Sequence, residues 1–230
     1  QFDTVEWNNL CRRVIIKDLR CGISEKTLNK VLGNTEWKIP VFTCQLATDS
    51  EKHVAKMTGI KRLEQKLDGV RVLAVVTKTT VNLYSRNGKP FDNFPQIVKS
   101  LEDIKHKFAK LLQACPRGIV LDGEIIGESF QALMKQAQRK SDVQTDGMTY
   151  SVFDVIPLAD FERGYWNAQQ HKRLHLLEEH RAVFEMTDCV RIMDGIDVNL
   201  DIAEGHDQLR RYAEDAVAAG FEGIMIKDLD

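Results

Sequence analysis

The sequence predicts an α+β domain preceded by a short all-helical segment. Two observations carry this. Runs rich in β-branched residues, which read as strands and hairpins, alternate with helical patterns at irregular intervals, unlike a regular strand–helix–strand repeat. The first thirty or so residues, by contrast, show only helical periodicity.

Over residues 4–32, Trp7, Leu10, Cys11, Val14 and Ile15 fall on one helical face, and Gly22 can end that helix. Ser24, with Thr27 three residues on and Leu28 and Val31 behind, starts another. Residues 33–40 hold Gly33, Asn34 and Pro40 and mark a boundary, giving domains over 1–36 and 37–230. Strands at 70–77 and 80–84, joined at Lys78-Thr79, form a hairpin that an approach strand should precede. Further strands are expected at 118–126, 148–156, 189–193 and 223–226. Helices are expected at 95–112, with Ile97, Leu101, Ile104, Phe108 and Leu111 on one side, around 130–139, and within 167–183. A last helix covers 203–219, with Gly220 just past its end.

The 230 residues, 43% hydrophobic and 29% charged, suit a soluble globular protein able to bury a core without staples. The five cysteines (Cys11, Cys21, Cys44, Cys115, Cys189) are scattered, with no Cys-x-x-Cys pair, which argues against a disulfide framework or zinc site and for a reducing compartment. The longest apolar run, from Val72 to Val76, is far too short for a membrane span, and the first residues show no signal-peptide pattern. The first residue is Gln1 rather than Met, which points to a trimmed chain or a piece of a longer one.

Net charge is −2, yet Arg12, Arg13, Lys17, Arg20, Lys26 and Lys30 face only Asp18 and Glu25 within one stretch. Such a cluster can neutralise phosphates or simply form a solvated helical face, and charge alone does not separate the two.

The segment Glu64-Gln65-Lys66-Leu67-Asp68-Gly69-Val70-Arg71 packs a lysine, an Asp-Gly turn and an arginine into six residues at the head of a strand. A charged hairpin turn is one reading. The other is chemical: a lysine becomes a nucleophile when desolvation or a nearby cation disfavours its charge, and Gly69 lets backbone approach a phosphate. Downstream, Asp122-Gly123-Glu124 can be a turn, Phe153 on an apolar strand can be core, and Glu222 can be a loop carboxylate.

Lys66 to Arg71 resembles the nucleotidyl-attachment motif Lys-x-Asp-Gly-x-Arg of the covalent nucleotidyltransferases, the DNA ligases and messenger-RNA capping enzymes. Four further elements resemble that family's motifs in the same order: Ser85-Arg86-Asn87-Gly88, Asp122-Gly123-Glu124, Tyr150-Ser151-Val152-Phe153-Asp154, and Glu222-Gly223-Ile224-Met225-Ile226-Lys227. Five ordered matches are what carries the resemblance.

It implies an adenylation domain of antiparallel sheets flanked by helices over 37–230, with Lys66 attacking the nucleotide α-phosphorus. It further implies Glu64 reading adenine, Phe153 stacking on it, Arg71 beside the nucleotide and Lys227 near the α-phosphate. Glu124 would contact the ribose or organise the metal, with Glu222 also at the metal, and Ser85 and Arg86 would hold the 5′-phosphate at a nick. Asp18-Leu19-Arg20-Cys21-Gly22 resembles an element that ends the helical DNA-binding domain of many ATP-dependent DNA ligases, which gives Lys17 and Arg20 the duplex backbone. Arg71 stands where NAD-dependent bacterial ligases usually carry Ala, so the implied cofactors are ATP and Mg2+. The implied partner is nicked duplex DNA, with no membrane, for a monomeric, soluble, intracellular protein of a bacterial or phage-infected cytoplasm, with a nucleus as the alternative. A capping guanylyltransferase or RNA ligase would share Lys66 without the Asp18-Leu19-Arg20 element, and a binding fragment without catalysis would form no adduct with ATP. The family's Lys-x-Lys strand and OB-fold domain lie beyond Lys227-Asp228-Leu229-Asp230 and outside these residues.

Overall fold

The structure, a computed structural model, describes residues 3–15, 25–32, 44–127, 133, 136 and 147–229. The chain divides into two units, Gln1–Val41 and Phe42–Asp230.

The first unit is helical where it is described. Asp3 caps the helix Thr4–Glu6 by accepting from the backbone of Val5 (2.7 Å) and Glu6 (2.8 Å), while Glu6 reaches back to the Asp3 amide, a capping box. Helical backbone continues through Trp7–Cys11 and Arg12–Ile15, and a second helix spans Glu25–Leu32. The expected helix end at Gly22, the start at Ser24, the 36/37 boundary and the 130–139 helix (apart from residues 133 and 136) lie outside the described residues.

The second unit holds two sheets. Strands β1 (Ile60–Lys66), β2 (Val70–Val76), β3 (Val81–Ser85), β4 (Ile119–Ile126), β5 (Thr149–Pro157), β6 (Val190–Ile192), β7 (Gly195–Asn199) and β8 (Gly223–Asp228) form a five-stranded sheet of order β3-β2-β4-β5-β6 and a three-stranded sheet of order β7-β1-β8. Strand β2 reads Val-Arg-Val-Leu-Ala-Val-Val because it is central and covered on both faces. Val72, Ala74 and Val76 join one core with Ile97, Leu101, Ile104, Phe108 and Leu111, the residues expected on a single helical side. Leu73 and Val75 join Val120 and Phe161 on the opposite face.

The helix expected over 95–112 is broken into Pro95–Ile104, a tighter turn Lys105–Phe108, and Ala109–Ala114. The expected helical region at 167–183 becomes Gln170–Glu178 and Arg181–Phe184, and an unforeseen helix, Leu158–Arg163, precedes them. These three helices carry the chain from β5 to β6, a connection long enough for β6 to run parallel to β5, where only antiparallel pairing was expected.

In the smaller sheet Leu63 is wholly buried with Val198 and Leu200 against Leu209 and Tyr212 of the helix Ala203–Ala218. That helix ends in a Schellman motif. Gly220, at φ 88°, donates to the Val217 carbonyl and Phe221 to that of Ala216, which returns the chain to β8.

Candidate active site

Lys66 is the last residue of β1 and Arg71 the second of β2, so the turn between them carries the chain from the small sheet to the large one. Glu222, just before β8, donates its amide to the Lys66 carbonyl (3.3 Å), and its carboxylate forms an ion pair with Lys66 Nζ. The Lys66 side chain remains 45% exposed, so its amine is reachable from a broad cleft lined by both sheets. Gly69 makes this junction possible. A Cβ there would collide with the Ile125 carbonyl and lie 2.8 Å from Glu124 Cγ. The close approach that Gly69 permits is thus to the backbone of β4.

Arg71 is held on three sides. Its Nε and Nη2 donate to Asp122 Oδ1 (2.9 Å) and Oδ2 (2.6 Å), a bidentate pair, and its Nη1 donates to the Gln45 carbonyl (2.7 Å). Burial pushes the Asp122 carboxyl up, and the guanidinium opposes it. Glu124, the register partner of Arg71, is pushed by burial up to about 7, with Arg71 and Lys66 acting the other way.

Phe153 owes its position to an irregularity. The β4–β5 register pairs Asp122 with Asp154 and Gly123 with Val152, so Phe153 is the extra residue of a β-bulge. The bulge shifts the alternation, so that Phe153 and Asp154 both line the cleft while Val152 and Val155 stay in the core. Among the described residues the Phe153 ring joins none of the buried apolar clusters. Arg71 Cζ lies 5.5 Å and Lys227 Nζ 4.8 Å from its centroid.

Glu64 is almost wholly buried although it is charged and lines the cleft. Its Oε2 pairs with Lys227 Nζ at 2.6 Å, while its Oε1 has no hydrogen-bond partner among the described residues. Burial raises its carboxyl, against the opposing charges of Lys227 and Arg62. The Lys227 ammonium also donates to the Phe153 carbonyl (3.5 Å), tying β8 to β5 across the two sheets.

Ser85 and Arg86 lie where β3 ends in a turn, both lining the cleft, with Arg86 exposed. The Ser85 hydroxyl accepts from the Lys89 amide (3.1 Å). Lys17 and Arg20 fall outside the described residues. The structure thus brings Lys66, Glu64, Arg71, Ser85, Arg86, Glu124, Phe153, Glu222 and Lys227 to one cleft. Sequence reasoning did not single out Asp122, which anchors Arg71, although it stands inside the Asp-Gly-Glu element. It also missed Arg173, which makes a bidentate pair with Asp154 (2.8 and 3.0 Å) beside Phe153.

Two features fit a purine nucleotide: an aromatic face outside the core, and a buried carboxylate oxygen that lacks a donor. For a metal, no group of three or more His, Cys, Asp or Glu side chains is assembled among the described residues. The carboxylates of Glu124 and Glu222 are hard oxygen donors, which suits a Mg2+ ion that takes its remaining ligands from phosphate and water.

Two sheets flanked by helices, closing on one cleft, define an α+β nucleotidyltransferase fold. The solved T7 bacteriophage ATP-dependent DNA ligase, in complex with ATP, shares it at a TM-score of 0.52 and 19% identity, over 81% of this chain and 62% of that one. Another solved chain, Pmar-Lig_PreS3, matches all of this chain at 40% identity and a TM-score of 0.80, over 52% of its own length. The DNA ligase of Archaeoglobus fulgidus is 26% identical over 213 residues, 88% of this chain and 35% of that protein. Residues 42–230 match the ATP dependent DNA ligase domain, and the chain belongs to the ATP-dependent DNA ligase family. It spans about a third of the length of the Archaeoglobus relative.

Proposed function

We propose that this chain carries the lysine-adenylation centre of a DNA ligase that seals nicks in duplex DNA with ATP and Mg2+. The observation that supports it is convergence: side chains from β1, β3, β4, β5 and β8, drawn from both sheets, line one cleft with Lys66. In this reading Lys66 Nζ attacks the ATP α-phosphorus, a P–N bond forms, and pyrophosphate leaves. Glu222 pairs with the Lys66 ammonium, whose proton is lost to solvent through the cleft before the attack. Phe153 stacks on the adenine, Glu64 Oε1 accepts from its amino group, and Lys227, which keeps its pair with Glu64 Oε2, stands near the α-phosphate. Arg71, fixed by Asp122 and Gln45, holds the Phe153 side of the pocket.

The AMP then passes to a 5′-phosphate held by Arg86 and Ser85, and the adjoining 3′-hydroxyl displaces it. Lys17 and Arg20 would grip the duplex backbone. Mg2+, held by Glu124 and Glu222, would offset phosphate charge. The protein's contribution is otherwise positioning and preorganised charge.

Incubation of the full-length protein with ATP and Mg2+, followed by intact-protein mass, should show one added AMP. Lys66→Ala and Lys66→Arg should both abolish it, since a guanidinium does not give up its proton. An adduct that survives on the Lys66→Arg protein would assign the nucleophile elsewhere.

A further inference from the structure

Two oppositely polar atoms lie close together in the small sheet, both completely buried and both without a hydrogen-bond partner among the described residues: Arg62 Nε and Glu64 Oε1, 4.0 Å apart. Arg62 and Glu64 are two residues apart on β1 and so project from the same face. We infer that Arg62, held by Asp197, is a positioning residue that fixes Glu64 Oε1 as a hydrogen-bond acceptor and so makes the site prefer a base with an amino group over one with a carbonyl. This rests on the reading that Glu64 faces the nucleotide base.

The geometry supplies each part. Asp197 is the register partner of Arg62 on β7, and its Oδ1 accepts from Arg62 Nη1 at 3.1 Å. Gly195 is the register partner of Glu64, and a Cβ there would lie 2.7 Å from Arg62 Nε and 2.9 Å from Glu64 Cγ. Its missing side chain is what lets the guanidinium lie along the carboxylate. Lys227 takes Oε2 from the other side. The Glu64 carboxylate is therefore clamped between two cations with one oxygen left over. An oxygen in that position accepts an N–H and repels another oxygen, and leaving it unmatched in a buried site is costly. Arg62 does not line the cleft, so it acts through Glu64 rather than by touching the nucleotide.

The test is self-adenylylation kinetics of the full-length protein with three nucleotides. ATP presents an amino group at the purine 6-position, inosine triphosphate a carbonyl, and purine riboside triphosphate neither. In the Arg62→Gln protein the preference for ATP over inosine triphosphate in kcat/KM should fall about tenfold or more, through a raised KM for ATP, as expected for weakening one hydrogen bond to a charged group. Purine riboside triphosphate should react within about twofold of the unsubstituted protein, and Arg62→Lys should recover part of the preference. Equal losses on all three nucleotides, or an unchanged preference, would overturn the inference. If Arg62→Gln does not fold, Asp197→Asn decides: a reduced preference supports the inference and an unchanged one overturns it. Glu64→Gln separates the two readings. If it abolishes the preference while Arg62→Gln keeps it, Arg62's role alone is wrong. If Glu64→Gln keeps the preference, the placement of the base is wrong and the inference falls with it.

Discussion

Burial moves the Glu124 carboxyl up to about 7, its Cγ lying where a Cβ at Gly69 would come within 2.8 Å. A carboxyl whose folded value lies above its unfolded value binds more protons when folded. The group therefore costs nothing at low pH, and the cost appears as pH rises from about 4.5 to about 7. Without metal, Glu124→Gln should be more stable than the unsubstituted protein at pH 8, by on the order of 1–2 kcal/mol. The gap should close as pH falls towards 5. Chemical denaturation with a chelator present, at both pH values, checks this, and a gap independent of pH would show that Glu124 is not held in its raised state. The same penalty has a use, since a desolvated carboxylate gains most from a cation that replaces the missing water.

At the scale of elements, the bulge in β5 sets the aromatic side chain in place. A strict alternation would put Phe153 and Asp154 on opposite faces. The extra residue lets both line the cleft, with Asp154 braced by Arg173. Because the ring fills no core, Phe153→Ala should leave the melting temperature nearly unchanged while weakening ATP binding by about ten- to a hundredfold, the range for losing one stacked base. A lowered melting temperature with unchanged ATP affinity would return the ring to a packing role. No sequence pattern announces a bulge, because it is a property of strand pairing. The same limit explains what else was illegible. Strand β7 is short, with Gly195 and Asp197 in a run of five, and gives little alternation to read. Strand β1 carries Lys61, Arg62, Glu64 and Lys66, a composition poor in strand formers, and was expected only from its place before the hairpin, as an approach strand without bounds. The helix-side core was legible, since Ile97, Leu101, Ile104, Phe108 and Leu111 repeat at helical spacing. So were the motif residues. Their partners were not: Arg71 meets Asp122, and Arg62 meets Asp197, only after strands far apart in sequence pair.

Across the whole second unit, both sheets contribute side chains to the cleft. Glu64, Lys66 and Lys227 belong to the small sheet; Lys227 joins Glu64 to the Phe153 ring, and Lys66 lines the same cleft, where an adenylate would be held. Arg86 stands elsewhere, at the end of β3, the outer strand of the large sheet, in a turn closed by the Gly88 amide on the Ser85 carbonyl (2.8 Å). Its exposed guanidinium suits a phosphate arriving from solvent, and the Cys44 thiol reaching its backbone carbonyl (3.7 Å) steadies the turn without occupying that guanidinium. If the rim serves the polynucleotide and the interior serves the nucleotide, the two steps should respond differently to one substitution. In the full-length protein Arg86→Ala should form the lysine adduct at a rate within about twofold of normal, since among the described residues Arg86 forms no ion pair with Lys66, Glu64 or Lys227 or their partners. Transfer of AMP from that adduct to nicked DNA should slow by tenfold or more, the loss expected for one charge-assisted phosphate contact. Pre-adenylated protein mixed with nicked duplex in a single turnover isolates the second step. Equal slowing of both steps would mean that Arg86 supports the β3 turn and hence the cleft as a whole, and the 5′-phosphate would then have to be held by another cation.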